Sequence, residues 1–204
     1  MKLIDLTHTF GEKMPVYPGD PLPELIQNAH IEKDGYNDYL IKTVMHVGTH
    51  IDAPLHMIAG GRKLSEIEIE KFIGNGVLID ARGKKSIEAD LLNGITITRD
   101  NIVLVMTGSY KKFRDSEYYQ SYPEISESFA RRLIEFRVKI IGLDTPSPDR
   151  PPFAIHKLLL GKEILIIENL TNLEALLDVP KFEIFALPAK FEAEAAPVRV
   201  IAKI

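Results

Sequence analysis

Ile102-Val103-Leu104-Val105-Met106-Thr107 carries no charged side chain. The run is too short to cross a membrane and has the length of a strand buried on both faces. Two further strands follow it, Lys139-Ile140-Ile141-Gly142-Leu143 and residues 163–167, and residues 76–81 precede it as another. Helical patterns separate them. Residues 124–137 place Phe129, Leu133 and Phe136 on one face, and residues 153–160 form a helix ended by Gly161. Shorter helices are expected at 87–92, stopped by Asn93-Gly94, and at 171–177. Another opens at Ser65, an N-cap with Glu68 at capping-box spacing. Strand and helix thus alternate from residue 65 to residue 178, which predicts an α/β core with parallel pairs.

Outside that alternation, residues 2–7, 24–31, 38–47, 182–187 and 197–203 read as strands, antiparallel at both chain ends. Lys33-Asp34-Gly35-Tyr36-Asn37 has turn chemistry. Residues 10–23 carry four prolines in Met14-Pro15-Val16-Tyr17-Pro18-Gly19-Asp20-Pro21-Leu22-Pro23 and form a stiff loop. That loop either walls a pocket with Tyr17 and Phe10 or merely connects. With no repeat and no linker, residues 1–204 are expected to form a single domain.

The composition narrows function. Hydrophobic residues at 45% and charged residues at 26% are the ordinary globular balance. A net charge of −4 without a basic run disfavours nucleic acid. No apolar run approaches the ~20 residues of a membrane span, and Lys2, Asp5 and His8 come too early for a signal peptide, so a cytoplasmic protein is expected. Cysteine is absent, so any metal site must use N and O ligands.

Such ligands are concentrated in His46-Val47-Gly48-Thr49-His50-Ile51-Asp52-Ala53-Pro54-Leu55-His56, which holds three of the six histidines. Residues 46, 48, 50 and 52 share one face of an extended strand, with Gly48 leaving room between two imidazoles. A straight strand would hold His46 and His50 about 13 Å apart, too far to grip one ion. Gly48, Thr49 and Pro54 fit a helix poorly. The spacing therefore predicts a sharp bend at Gly48-Thr49 that brings His46, His50 and Asp52 together on a metal.

Further along, His156 lies in an apolar helical stretch and by itself reads as a packed histidine. Glu168 closes a buried strand, where a carboxylate is costly unless paired or metal-bound. Asp144 ends another strand and either orients a ligand imidazole or caps the turn after it.

His46-x-Gly48-Thr49-His50-x-Asp52-Ala53-Pro54-x-His56 resembles the signature of the cyclase family of metal-dependent hydrolases, which includes bacterial kynurenine formamidase and isatin hydrolase. Asp5-Leu6-Thr7-His8, Tyr17-Pro18-Gly19-Asp20, Gly142-Leu143-Asp144-Thr145-Pro146-Ser147, and His156 with Glu168 are similar to further motifs of that family, so the resemblance spans nearly the whole chain. It implies a mixed-sheet α/β fold of the swivelling β/β/α type, assembly as a homodimer or homotetramer, and one or two divalent ions, Zn or Mn. By that resemblance His46, His50 and Asp52 hold the first metal, His156 and Glu168 complete a second site that Asp52 also faces, and His56 is the general acid/base.

The implied reaction is hydrolysis of a small-molecule amide by metal-activated water, most directly that of N-formylkynurenine to kynurenine and formate in tryptophan catabolism. Family members line the aryl pocket with tryptophan, and this chain has none. Phe10, Tyr17, Tyr36 and Tyr39 are the aromatic substitutes, with Tyr118 or Tyr119 supplied from a neighbouring subunit. A cyclic amide substrate of the isatin type is the alternative. A small-molecule or structural metal-binding role without catalysis is the third reading, and the spare histidine His56 argues against it, since structural sites saturate their ligands.

Overall fold

The computed structural model describes residues 1–204. In chain order the strands are β1 (Leu3–Asp5), β2 (Glu24–Ala29), β3 (Asp38–Lys42), β4 (His50–Asp52), β5 (Ile73–Asp80), β6 (Ser86–Ile87), β7 (Ile102–Met106), β8 (Glu124–Ile125), β9 (Ile140–Leu143), β10 (Leu165–Glu168), β11 (Glu183–Pro188) and β12 (Ala195–Lys203). The α-helices are α1 (Ile31–Asp34), α2 (Glu127–Phe136) and α3 (Ala154–Leu160).

β7 is buried at every residue and lies mid-sheet, as its apolar run dictates. It pairs in parallel with β5 (Val77 opposite Val103) and with β9 (Val103 opposite Ile141), and β9 pairs in parallel with β10. β11 and β12 extend the sheet antiparallel beyond β5, and β1 pairs antiparallel with β12. Parallel pairs in the middle and antiparallel strands from the chain ends are the arrangement read from the alternation.

The sheet also closes on itself, which no sequence pattern signals. The three-residue strand β4 pairs with β10 on one edge and with β12 on the other, so seven strands form a ring. The pleat then sorts the core. Ile102, Leu104 and Met106 of β7 point inward with Ile140, Ile167, Ile51 and Val200. Val103 and Val105 point outward with Ile141 and Ile166, where Phe129 and Leu133 of α2 and Ile155 and Leu159 of α3 cover them. Each such large side chain contributes about 2 kcal/mol of burial. Ser126 caps α2 by accepting from the Phe129 N–H at 3.2 Å, so the helix starts three residues later than its pattern suggested.

Three local readings are corrected. Strand 38–47 stops at Lys42, because residues 45–49 bend, and strand 24–31 stops at Ala29, followed by the single turn α1 with Gly35 in the left-handed region. The helix assigned to Ser65 is a 3-10 turn, Leu64–Glu66, in which Glu66 accepts from the Lys63 N–H at 2.9 Å. Glu68, the residue expected in that role, instead pairs with Arg62 at 2.8 Å.

Candidate metal centre and catalytic site

Gly48 sits at φ +66°, inside the bend of residues 45–49 that turns the chain into β4. The predicted bend is present, but the reason for glycine differs from the one expected. A Cβ there would meet Met14 Cε at 2.3 Å, so the space is filled by methionine and the backbone sign excludes most other residues. The bend brings the His46 and His50 rings to 5.0 Å between centroids.

β4 then presents His50 and Asp52, both buried, and its register places His50 directly opposite Glu168 of β10. His50 Nε2 lies 3.3 Å from Glu168 Oε2 and 3.5 Å from Asp52 Oδ1. His46 Nδ1 lies 3.0 Å from Asp52 Oδ1. The 3-10 turn Pro54–His56 carries His56 over the same point, 4.2 Å from His46 and 5.8 Å from His156 between ring centroids. α3 delivers His156, whose Nε2 is 3.1 Å from Glu168 Oε1.

All six polar residues anticipated in the sequence therefore converge. They group as His50, Asp52 and Glu168, and as His46, Asp52 and His56, with one donor atom of each group's members within 4.8 Å of the others. Asp52 belongs to both groups. His56 thus lies at ligand spacing rather than apart, and His156 reaches the cluster through Glu168.

The donor atoms themselves test whether a cation fits. Both Asp52 oxygens and His50 Nε2 are buried without a hydrogen-bond partner. Although neighbours lie 3.0–3.5 Å away, none is aligned for a hydrogen bond. Burying a carboxylate in that state is expensive, and a cation among these N and O donors removes the cost. His50 Nδ1 lies 2.8 Å from the Gly48 carbonyl. A carbonyl only accepts, so Nδ1 carries the proton and Nε2 offers its lone pair to the cluster.

Two residues of the site had no signal in the sequence. Asp149 accepts from His156 Nδ1 at 2.5 Å and with its other oxygen from the Ile155 N–H at 2.6 Å. Glu194 lies 3.4 Å from His46 Nε2. Asp144, considered for the orienting role, instead accepts from Thr107 N and Oγ1 and Gly108 N, and so fixes the turn after β7.

Charge follows this geometry. Burial works against the His46 cation, but Asp52, helped by Glu168 and Glu194, raises its pKa to about 9. Burial likewise opposes the His156 cation, and Asp149 and Glu168 raise it to about 10. Burial favours a protonated Asp52, yet His46 and His50 hold it well below the usual carboxylate range. Burial lowers His56, and it prevails over the opposing pull of Asp52, with His46 and His156 acting in the same direction as burial. A lowered imidazole is neutral at pH 7 and able to accept a proton.

The cluster floors a cavity of about 230 Å³ whose aromatic walls are Tyr17, Tyr119 and Phe153. Tyr119 and the buried Tyr118 come from the same chain rather than from a neighbour. Phe10 does not line this cavity; it packs beside Met14 and lines a separate one of about 360 Å³ with His8. Tyr36 and Tyr39 are exposed on the β2–β3 hairpin and its turn.

Residues 4–150 match the model of the family described as "Putative cyclase". The kynurenine formamidase of Bacillus thuringiensis subsp. konkukian (strain 97-27) is 30% identical over 210 residues, covering 98% of this chain and 96% of its own. Isatin hydrolase A from Labrenzia aggregata, solved with benzyl benzoate bound, superposes with a TM-score of 0.89 at 26% identity, covering 100% of this chain and 93% of its own. A structure described as a potential metal-dependent hydrolase with cyclase activity superposes with a TM-score of 0.82 at 29% identity, covering 98% and 96% of the two chains.

Proposed function

The chain belongs to the cyclase family, and from that membership we propose that it is a metal-dependent amide hydrolase of the arylformamidase type. It hydrolyses the C–N bond of N-formylkynurenine to give kynurenine and formate, with residues 1–204 acting as one catalytic domain. The observation that carries the reading is the set of buried, unpartnered donor atoms on His50 and Asp52, beneath an aromatic cavity that also holds a neutral imidazole.

In this reading His50, Asp52 and Glu168 hold one divalent ion, Zn or Mn, and His46 and His156 are the further nitrogen donors, with room for a second ion sharing Asp52. When bound, such an ion supplies Lewis acidity toward a carbonyl and lowers the pKa of water toward neutrality. His56 takes a proton from the attacking water and returns it to the leaving nitrogen. Tyr17, Tyr119 and Phe153 stack the aryl group and keep bulk water away from the carbonyl. Asp149 keeps His156 Nε2 turned toward Glu168.

A cyclic amide of the isatin type is the second reading, favoured by the superposition on isatin hydrolase A. The two substrates differ in the width that the aryl walls must allow. The enzyme acts in the cytoplasm as a homodimer or homotetramer in this proposal. No helix is long and apolar enough to cross a membrane, and β3 of the β2–β3 hairpin exposes Tyr39, Leu40 and Ile41.

The test is turnover of purified protein loaded separately with Zn²⁺ and Mn²⁺, on N-formylkynurenine, isatin and formanilide. The formamides are expected to react fastest. Isatin turnover with inert formamides would replace the first reading by the second, and inertness toward all three would end both.

A further inference from the structure

Asn169, which follows Glu168, holds the bend at residues 45–49 from outside through both its side chain and its backbone, while the Val198 and His8 N–H groups donate to Thr49. Asn169 Nδ2 donates to the Gly48 carbonyl at 3.0 Å, the same oxygen that accepts from His50 Nδ1. Its own carbonyl accepts from Thr49 Oγ1 at 2.6 Å. Its backbone N–H donates to the Thr145 carbonyl at 3.0 Å, and its φ is +56°, a conformation asparagine tolerates better than most residues. Side chain and backbone together therefore clamp Gly48 and Thr49, two of the three residues between His46 and His50.

The amide of Asn169 has its orientation set in turn. Tyr118 Oη donates to Asn169 Oδ1 at 2.8 Å and lies 3.2 Å from the Asp144 carbonyl. Tyr118 supplies the hydrogen bond found at Oδ1, and it leaves Nδ2 facing Gly48. Tyr118, Asn169 and His50 are all essentially inaccessible, at 1%, 2% and 1% exposure, so no solvent substitutes for a lost partner. Tyr118 also packs edge-on against Tyr119, a wall of the cavity, at 5.2 Å between ring centroids.

We propose that Tyr118 and Asn169 are positioning residues for His50: Tyr118 fixes the Asn169 amide, Asn169 polarises and holds the Gly48 carbonyl, and that carbonyl fixes the imidazole with Nε2 toward Asp52 and Glu168. The same pair ties the aromatic wall of the substrate cavity to the metal ligand, so the loop carrying Tyr118 and Tyr119 and the orientation of His50 respond together. The inference rests on the metal-hydrolase reading for its purpose, while its first measurement requires neither metal nor substrate.

The experiment has two arms. Long-range ¹⁵N–¹H correlation spectra of the metal-free protein read which His50 nitrogen carries hydrogen. Competition with a chromophoric chelator reads Zn²⁺ affinity on samples whose circular dichroism confirms folding. Wild type is expected to show His50 protonated on Nδ1. Tyr118→Phe is expected to give a mixed tautomer signal and about a ten-fold loss of Zn²⁺ affinity, and Asn169→Leu a loss of about ten- to a hundred-fold. A His50 that carries hydrogen on Nε2 in wild type overturns the proposal, as does a folded Tyr118→Phe with unchanged tautomer and affinity. The second result stands even where Asn169→Leu does not fold. A wild-type chain that shows the Nδ1 tautomer yet binds no Zn²⁺ defeats the hydrolase reading and leaves the positioning chain intact.

Discussion

Asp149 accepts two hydrogen bonds from the start of α3, one from the imidazole Nδ1 of His156 at 2.5 Å and one from the N–H of the preceding residue, Ile155, at 2.6 Å. The carboxylate thereby sets both the ring orientation and the start of the helix that carries it. Asp149→Asn keeps the shape and loses the charge. It is expected to weaken metal binding about ten- to a hundred-fold, read by chelator competition. Unchanged affinity would reduce Asp149 to a helix-start residue.

His56→Ala separates proton transfer from metal binding. Turnover of the formamide is expected to fall about 10²- to 10⁴-fold while metal content, measured by atomic emission, stays at the wild-type level. His56 lies at ligand spacing with His46 and Asp52, so loss of metal together with activity would convert it from an acid/base into a ligand.

Gly48→Ala meets two penalties, a positive φ and a Cβ position 2.3 Å from Met14 Cε. A cost of about 2–3 kcal/mol is expected, measured as a lower urea midpoint. Adding Met14→Ala relieves the contact and not the backbone, so the double variant should be less destabilised than the sum of the two single changes. Strict additivity would show that the methionine simply moves aside.

Chelation removes the cation that relieves the unpartnered Asp52 and His50 atoms. At metal concentrations a hundred times Kd, binding adds about 2.7 kcal/mol, so removal should lower Tm by roughly 5–10 °C. The pH dependence has a definite sign. His46 and His156 have folded pKa values of about 9 and about 10, above the ordinary imidazole value. Their contribution to the metal-free fold is complete below pH 6.5 and is lost as pH rises through 9 and 10. Metal affinity climbs over that same window, because binding displaces those protons. Calorimetry at pH 7 in buffers of different ionisation enthalpy should report net proton release; heats independent of buffer would contradict it.

The parts of the fold that were readable from sequence are those where one residue type has one place to go. An all-apolar stretch such as Ile102–Met106, short and rich in β-branched residues, fits a strand covered on both faces better than a helix. The ring closure was hidden because β4 is three residues long and two of them, His50 and Asp52, are polar, so nothing in its composition marks a strand. The histidines of the centre were legible through their crowding around Gly48. Asp149 and Glu194 were not, since each reaches its histidine through a fold-back that leaves no periodic trace. Ser65 misled for a related reason: serine favours caps in general, and here Lys63 and Glu66 close the turn first.

The closing strand carries the last consequence. His50 and Asp52 sit on β4, which is seated only when β10 on one side and β12 on the other are in place, with Ile51 opposite both Ile167 and Ala196. The geometry of the centre therefore belongs to three strands far apart in sequence and not to its own eleven-residue segment. A chain severed between β4 and β12 would keep every residue of the motif and lose the frame that aims them at one point.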